Sequence, residues 1–401
     1  MKKTMIWIGA LVVGAVLGLL GFGWLNDVMD FVAMVYTRLF QLLAVPTIVL
    51  AVITTFATFG SKGSGRIFGH TLVYTLLTTF AAAAIGALLY ILIAPGNLPV
   101  EALSGEGTQE DISHLSPLAS HLSYYDHILN VIPNNIIKPF LEGNVLSLLL
   151  LAFAIGIGLS KLPESENKSV VVKGLLGLQD LLFLLIRGLI WTLPLGIVAF
   201  SAQLSAQVNA GVVADSIGKY VLVVLGGNVI QFFVILPLFL LARGLNPIHV
   251  LGRMMPAVLM ALFTKSSAAT LPVTMQSAED RLGIRKDIAR FVLPICTTIN
   301  MNGCAAFILV TSLFVMQNGG TPLTLGTILL WILISVVSAI GNAGVPMGCF
   351  FLTLSLMSGI GAPVAILGII LPIYTIVDMV ETAENVWSDS CVCAMTDHDL
   401  K

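Results

Sequence analysis

MMPAVLMALFTKSSAATLPVTMQSAEDRLGIRK, residues 254–286, places two apolar arms of about ten residues on either side of a small, polar centre. Each arm is too short to cross a hydrocarbon core of about 30 Å, because a helix rises only about 1.5 Å per residue. The stretch starts beside Arg253 and ends among Arg281, Arg285 and Lys286, so it enters and leaves on one side. That is the pattern of a re-entrant hairpin. LWILISVVSAIGNAGVPMGCFFLTLSLMSGIGAP, residues 330–363, repeats it around a Gly/Asn/Pro-rich tip, and its uncharged flanks place its entry on the opposite side. Open backbone at membrane depth is tolerated only where protein buries it or where it lines a polar cavity. Two such hairpins mark an inverted repeat with a binding site near the midplane. The alternative is a pair of ordinary spans kinked by glycine and proline.

The chain around them has 401 residues, 57% of them hydrophobic and 10% charged, with a mean hydropathy of +0.99. Candidate spans lie near 5–25, 31–59, 70–94, 144–160, 176–205 and 217–242. The first lacks a small-residue cleavage pattern and reads as a span rather than a removed leader. Lys2, Lys3, Lys62, Arg66, Lys161, Lys168, Lys173, Arg243 and Arg253 fall at the start and at the even-numbered junctions, which places these and both termini in the cytoplasm. The connection from Pro95 to Ile137 has five acids and no lysine or arginine, as an external loop would. The expected fold is an all-α polytopic membrane protein of about eight spans plus the two hairpins, held in a lipid bilayer. All five cysteines lie in apolar sequence and are expected as buried thiols. The six histidines sit mostly in loops and flanks, and no catalytic or metal-ligand spacing stands out. Neither an enzyme nor a nucleic-acid partner is expected.

Between the hairpins, residues 286–316 form a span interrupted by TTINMNGCA, residues 297–305. Thr297, Thr298, Asn300 and Asn302 offer hydroxyl and amide oxygens beside Gly303, which lets a helix unwind and turn carbonyls inward, as a hard monovalent cation requires. Membrane asparagines also join helices by hydrogen bonds, so the motif alone leaves both roles open. DMVETAENVWSD, residues 378–389, closes the last apolar stretch. At about 100° per residue, Asp378, Glu381, Thr382, Asn385 and Asp389 share one stripe of a helix. A carboxylate facing lipid at mid-depth costs at least about 2.5 kcal/mol, so the stripe looks into protein or a wet cavity. Glu384 lies off it and is expected to be a structural acid paired with a spare cation such as Lys265 or Arg187.

Over nearly its whole length the chain resembles the dicarboxylate/amino acid:cation symporter family. GNVLSLLLLAFAIGIGLS is similar to the family's fourth span, FTKSSAATLPVTM to its first hairpin tip, TTINMNG to its NMDG motif and AIGNAGVP to its second tip. The resemblance implies a homotrimer of elevator transporters, with the second hairpin as gate. It implies that Asp378 takes the substrate ammonium, with Thr382 and Asn385 beside it. Ser266, Ser267 and tip backbone including Gly344 and Val345 would hold the α-carboxylate. Sodium is the implied coupling ion. Asn300, Asn385 and Asp389 resemble ligands of one ion, Thr298, Met301, Ala339, Ile340 and Asn342 of a second, and Thr78, Thr79, Asn300 and Asn302 of a third. A scaffold of about 1–69, 144–173 and 174–249, a moving part of about 70–94 and 250–395, and an external loop over 95–143 complete the expectation.

Two departures narrow it. Glu381 stands where the glutamate and aspartate transporters carry an arginine that grips an acidic side chain. VETAEN and FTKSSAA instead resemble the bacterial sodium/serine-threonine branch, which carries small neutral amino acids, and Lys265 stands where that branch has arginine. Asn302 replaces the aspartate of NMDG, which weakens the third ion site. The expected activity is therefore sodium-coupled import of serine, threonine or alanine across a bacterial inner membrane. Its alternatives are a cationic or other polar amino acid, proton coupling, and, from another class, a channel or a non-transporting sensor.

Overall fold

Hydrocarbon leaves no water for open backbone groups, so the apolar runs fold as helices. The computed structural model describes residues 2–20, 22–59, 65–98, 132–142, 145–207, 212–342 and 347–401. Most of the external loop, Gly344 and Val345 lie outside the described residues. The helices are α1 (Lys2–Leu19), α2 (Gly23–Phe59), α3 (Gly65–Ile93), the short α4 (Lys138–Glu142), α5 (Val145–Lys161), α6 (Glu166–Gln207) and α7 (Val212–Ile230). A π segment, Gln231–Ile235, joins α7 to α8 (Leu236–Ala242). The first hairpin is α9 (Pro247–Thr264) and α10 (Ser267–Gln276), the broken span α11 (Lys286–Ile299) and α12 (Asn302–Asn318). The second hairpin is α13 (Leu325–Ala339) and α14 (Gly348–Gly359), and α15 (Ala365–Asp399) ends the fold.

Two boundaries differ from expectation. α1 ends at Leu19 and α2 starts at Gly23, not after 30, so Asp27 and Asp30 fall inside the 37 residues of α2. At about 55 Å that helix outruns the hydrocarbon core, so acids near its start need not enter it. The first hairpin arm has 18 residues rather than about ten. It begins at Asn246, whose side chain accepts from the amides of Ile248 (3.0 Å) and His249 (3.2 Å), ahead of Pro247. Polar cap followed by proline is a helix-start signature, and it lies upstream of the stretch that shows the hairpin. The arm still does not continue: Lys265 turns the chain at φ 54°, and α10 packs back along α9.

α1, α2, α5 and α6 pack on one another, with Gly14 and Gly18 of α1 letting the backbone approach the carbonyls of Val198 and Ala202 on α6. Trp191 on α6 is 80% exposed. α3, α7, α8 and α9–α15 pack as a second group, which meets the first mainly through the second hairpin and through α15 against α6. Within this group α7 lies on α3, α12 and α15.

The second group contains two apolar clusters with a polar layer between them. One cluster holds the first hairpin, α11 as far as Cys296, α8, Tyr74 of α3 and α15 from Ala383 onward. The other holds the second hairpin, Met301 and α12, Ala83 and Ala87 of α3, Tyr220 to Val224 of α7, and α15 up to Val377, and it continues into α1, α2, α5 and α6 of the first group. The residues left between them on the same elements are Thr78 and Thr79, Asn228 and Gln231, Asn300, and the acidic stripe of α15. Each hairpin lies in its own cluster, and Lys265 and Ser267 of the first and Asn342 and Cys349 of the second line one pocket at this layer. Every residue from Asn302 to Met316 is buried. Charges collect at the opposite end of α15, where Arg285 Nε donates to Asp397 Oδ1 at 2.7 Å and the Tyr74 hydroxyl to Asp399.

Candidate functional site

The site is built where helices stop. α11 ends at Ile299, Asn300 and Met301 leave helical geometry (φ/ψ −96/72° and −110/68°), and α12 starts at Asn302. α15 passes this break after a bend of 78° between Leu371 and Ile376, where Pro372 removes an amide hydrogen. A small pocket lies against it. Lys265 and Ser267 line it from the first hairpin, Asn342 and Cys349 from the second, Met301 from the break, and Asp378, Glu381, Thr382 and Asn385 from α15.

The pocket is polar on every side and its groups are constrained. The Tyr374 hydroxyl sits between Asp378 Oδ1 (3.4 Å) and Glu381 Oε2 (3.3 Å). Asp378 also meets the backbone amide of Met347 at the start of α14, and the Lys265 ammonium acts on it. Among the described residues Asp378 Oδ2 has no hydrogen-bond partner, and the Glu381 carboxyl meets the Cys349 thiol as well as Tyr374. Thr382 donates to the Asp378 carbonyl (2.7 Å), and Asn385 Oδ1 accepts from the Gly303 amide (2.9 Å). Ser267 opens α10, whose first-turn amides have no partner within the helix. Ser266 uses its hydroxyl oxygen as the N-cap, accepting from Ala269 at 3.2 Å.

Behind the pocket the second polar set converges. Thr78 Oγ1 lies 2.9 Å from the Tyr74 carbonyl, 3.2 Å from Asn300 Oδ1 and 3.4 Å from Asn302 Oδ1, while Thr79 donates to Asn302 Oδ1 at 2.8 Å. Asn300 Nδ2 donates to Asp389 Oδ1 (2.9 Å) and to Ser388 Oγ (3.0 Å), and Asn302 Nδ2 to Ser388 Oγ (2.7 Å). Asn342 Nδ2 reaches Met301 Sδ (3.7 Å) and Cys349 Sγ (3.4 Å), and Asn342 Oδ1 has no partner among the described residues. Thr298 turns its hydroxyl to its own helix, donating to the Ile295 carbonyl at 2.8 Å. Ala339 is buried and Ile340 starts the 3₁₀ turn Ile340–Asn342 beside α11.

The sequence signature of the sodium:dicarboxylate symporter family matches residues 4–399. The chain belongs to that family. Excitatory amino acid transporter 2 of Rattus norvegicus is 29% identical over 406 residues, spanning 88% of this chain and 70% of the relative. Neutral amino acid transporter B(0) of Oryctolagus cuniculus is 29% identical over 394 residues, spanning 90% and 72%. Neutral amino acid transporter A of Homo sapiens is 28% identical, spanning 90% and 74%. This symporter-family member is thus a multi-pass membrane transporter and not an enzyme. Relatives named for excitatory and for neutral amino acids match equally well, so only the pocket can discriminate between substrates.

Several site residues of this symporter-family chain escape a stripe reading. Ser388 joins Asn300 to Asn302, and Tyr374 joins the two pocket acids. Asn228 and Gln231 are the polar pair in an otherwise apolar span, a visible signal, and Gln231 Nε2 holds the Thr78 carbonyl at 3.0 Å. Glu384 is the clearest correction. It is buried, and among the described residues neither of its oxygens has a hydrogen-bond partner, so Lys265 does not meet it, while the side chain of Arg187 lies outside those described. A Cβ on Gly303 would stand 2.7 Å from Glu384 Oε2, 2.8 Å from Asn228 Oδ1 and 2.9 Å from the Glu381 Cα. Since one of these atoms is backbone, Gly303→Ala is expected to cost about 1–3 kcal/mol, more than the helix propensity it gains. A thermal shift of the purified protein reads this as a melting temperature several degrees lower; an unchanged one would contradict the packing.

Proposed function

We propose that the protein is a secondary active symporter that imports small neutral amino acids of the serine, threonine and alanine class with sodium. The observation that carries this reading is the pair of buried acids facing one pocket. Asp378 Oδ2 is the unpaired carboxylate oxygen that an α-ammonium needs at this depth. The amino end of α10, with Ser267, suits the α-carboxylate. Glu381 supplies a second negative charge where the substrate side chain would lie, which disfavours aspartate and glutamate and accepts a hydrogen bond from a hydroxyl. The same charge equally suits a cationic side chain. Competition of labelled serine uptake by alanine, lysine and aspartate in proteoliposomes tests the choice. Inhibition by serine and alanine alone is the expected pattern, whereas inhibition by lysine assigns Glu381 to a cationic substrate.

Sodium coupling is supported by the oxygens around Thr78. One hydroxyl proton faces several acceptors within 3.4 Å, so it can serve only one of them. The remaining oxygen–oxygen contacts favour a small cation in their midst. Asp389 supplies negative charge one hydrogen bond away through Asn300. Asp389→Asn is expected to raise the sodium concentration for half-maximal uptake by about tenfold or more, since bonds to a charged group contribute about 1.5–3 kcal/mol. Equal uptake from sodium-free buffer under a proton gradient would exclude this coupling.

Transport by an elevator movement, in a homotrimer, in a bacterial inner membrane with cytoplasmic termini, is part of the same proposal. The packing supports a moving unit of α3, α7, α8 and α9–α15, which adds 212–242 to the segments expected from sequence. α1, α2, α5 and α6 then form the static part.

A further inference from the structure

An asparagine side chain carries an oxygen that attracts a cation and an NH2 that repels one, at two corners of one planar group. Which of them faces a binding site is decided by whatever holds the other. Around Thr78 and Thr79 both asparagines of the break turn their oxygens inward: Asn302 Oδ1 lies 2.8 Å from Thr79 Oγ1 and 3.4 Å from Thr78 Oγ1, and Asn300 Oδ1 lies 3.2 Å from Thr78 Oγ1. Both NH2 groups point to one atom. Ser388 Oγ on α15 accepts from Asn302 Nδ2 at 2.7 Å and from Asn300 Nδ2 at 3.0 Å. A hydroxyl oxygen has two lone pairs, and here each receives one amide N–H. Ser388 is completely buried, so bulk water does not take its place.

The two asparagines depend on Ser388 unequally. Asn300 Nδ2 has a second anchor in Asp389 Oδ1 at 2.9 Å, and a carboxylate accepts without donating. Among the described residues Asn302 Nδ2 has Ser388 alone. Turned over, the Asn302 amide would donate to Thr79 Oγ1, which accepts as well as it donates, and would set an NH2 among the oxygens. Of the contacts Asn302 makes, only the one with Ser388 requires a donor at that corner. An aspartate, which the family's NMDG motif carries at this position, has two equivalent oxygens and needs no such control.

We propose that Ser388 is a positioning residue of the cation set: it holds the Asn302 amide with its oxygen toward Thr78 and Thr79, and so keeps as an ion ligand a residue that lacks the motif's charge. The inference rests on the sodium reading above and names the group that orients its ligands.

Thermal stabilisation of the purified full-length protein, titrated with sodium chloride against choline chloride at constant ionic strength, reads the site without a transport step. The readout is the increment that sodium adds, not the melting temperature in choline, which a packing defect alone would lower. Ser388→Ala is expected to raise the half-saturating sodium concentration by about three- to tenfold, the size of one neutral hydrogen bond. In an Asn302→Asp background, where the carboxylate needs no orienting, the same change is expected to move it by less than about twofold, because the two positions act through one contact. Ser388→Cys keeps the size with a weakly accepting sulfur and is expected to behave as Ser388→Ala, so it serves if the alanine variant does not fold. An unchanged sodium titration in these variants, or an equal shift with and without Asn302→Asp, overturns the proposal and leaves Ser388 a packing residue. A wild type that sodium does not stabilise removes the coupling reading and this inference together, whereas a sodium response shared by wild type and variants removes this inference alone.

Discussion

Asp378→Asn is expected to reduce amino-acid uptake to background while the protein stays folded. The carboxylate is buried, meets the Met347 amide and is acted on by Lys265, and among the described residues its second oxygen has no partner. Removing one partner from a buried charge pair costs about 3–5 kcal/mol, which is roughly a hundred- to several thousandfold in affinity. The asparagine keeps the shape and retains an acceptor for Met347, so gross unfolding is not the expected route. Labelled serine uptake into proteoliposomes, with size-exclusion profiles of both proteins as the folding control, measures it. Wild-type uptake by the variant would place the ammonium elsewhere.

Glu381→Arg is expected to reverse the sign of side-chain selectivity. The wild-type pocket holds two acids and one lysine; the variant holds one acid and two bases. Like charges brought together without water cost several kcal/mol, so aspartate excluded from the first pocket becomes acceptable in the second. Serine uptake should fall, because the acceptor for its hydroxyl is gone. The preference for serine over aspartate is then expected to shift by about a hundredfold or more. Thermal stabilisation by serine, threonine, alanine, lysine and aspartate, compared between wild type and variant, checks this. An unchanged profile, or a wild type that already prefers aspartate, would remove Glu381 from the role of selector.

The hairpins and the broken span could be read directly because their signals are local. Short apolar arms, a small polar centre and a glycine at the break each require only neighbouring residues. The stripe on α15 was legible for the same reason, and it correctly gathered Asp378, Glu381, Thr382 and Asn385 on the pocket. Its failure at Glu384 has a physical cause. A stripe argument assumes that the rest of the helix faces lipid, but α15 is buried on every side from Glu381 to Asp397. Off-stripe therefore does not mean outside. The partners of Ser388, Asn228 and Tyr374 come from other helices, and no spacing along one helix reports them. Substrate choice is least legible, since it depends on the balance of three charges that only the fold brings together.

The complete burial of residues 302–316 bears on how the gene can vary. A helix that meets lipid exchanges Leu, Ile, Val and Phe along its outer side at little cost, because acyl chains conform to any apolar shape. α12 has no such permissive side. Each exchange there alters the volume of a packed interior, with penalties of about 1–3 kcal/mol for added bulk. Neutral drift will accumulate instead on surfaces such as that of Trp191, which is 80% exposed. The segment beside the break at Asn300 and Met301 is thus a slow clock within a faster-changing chain.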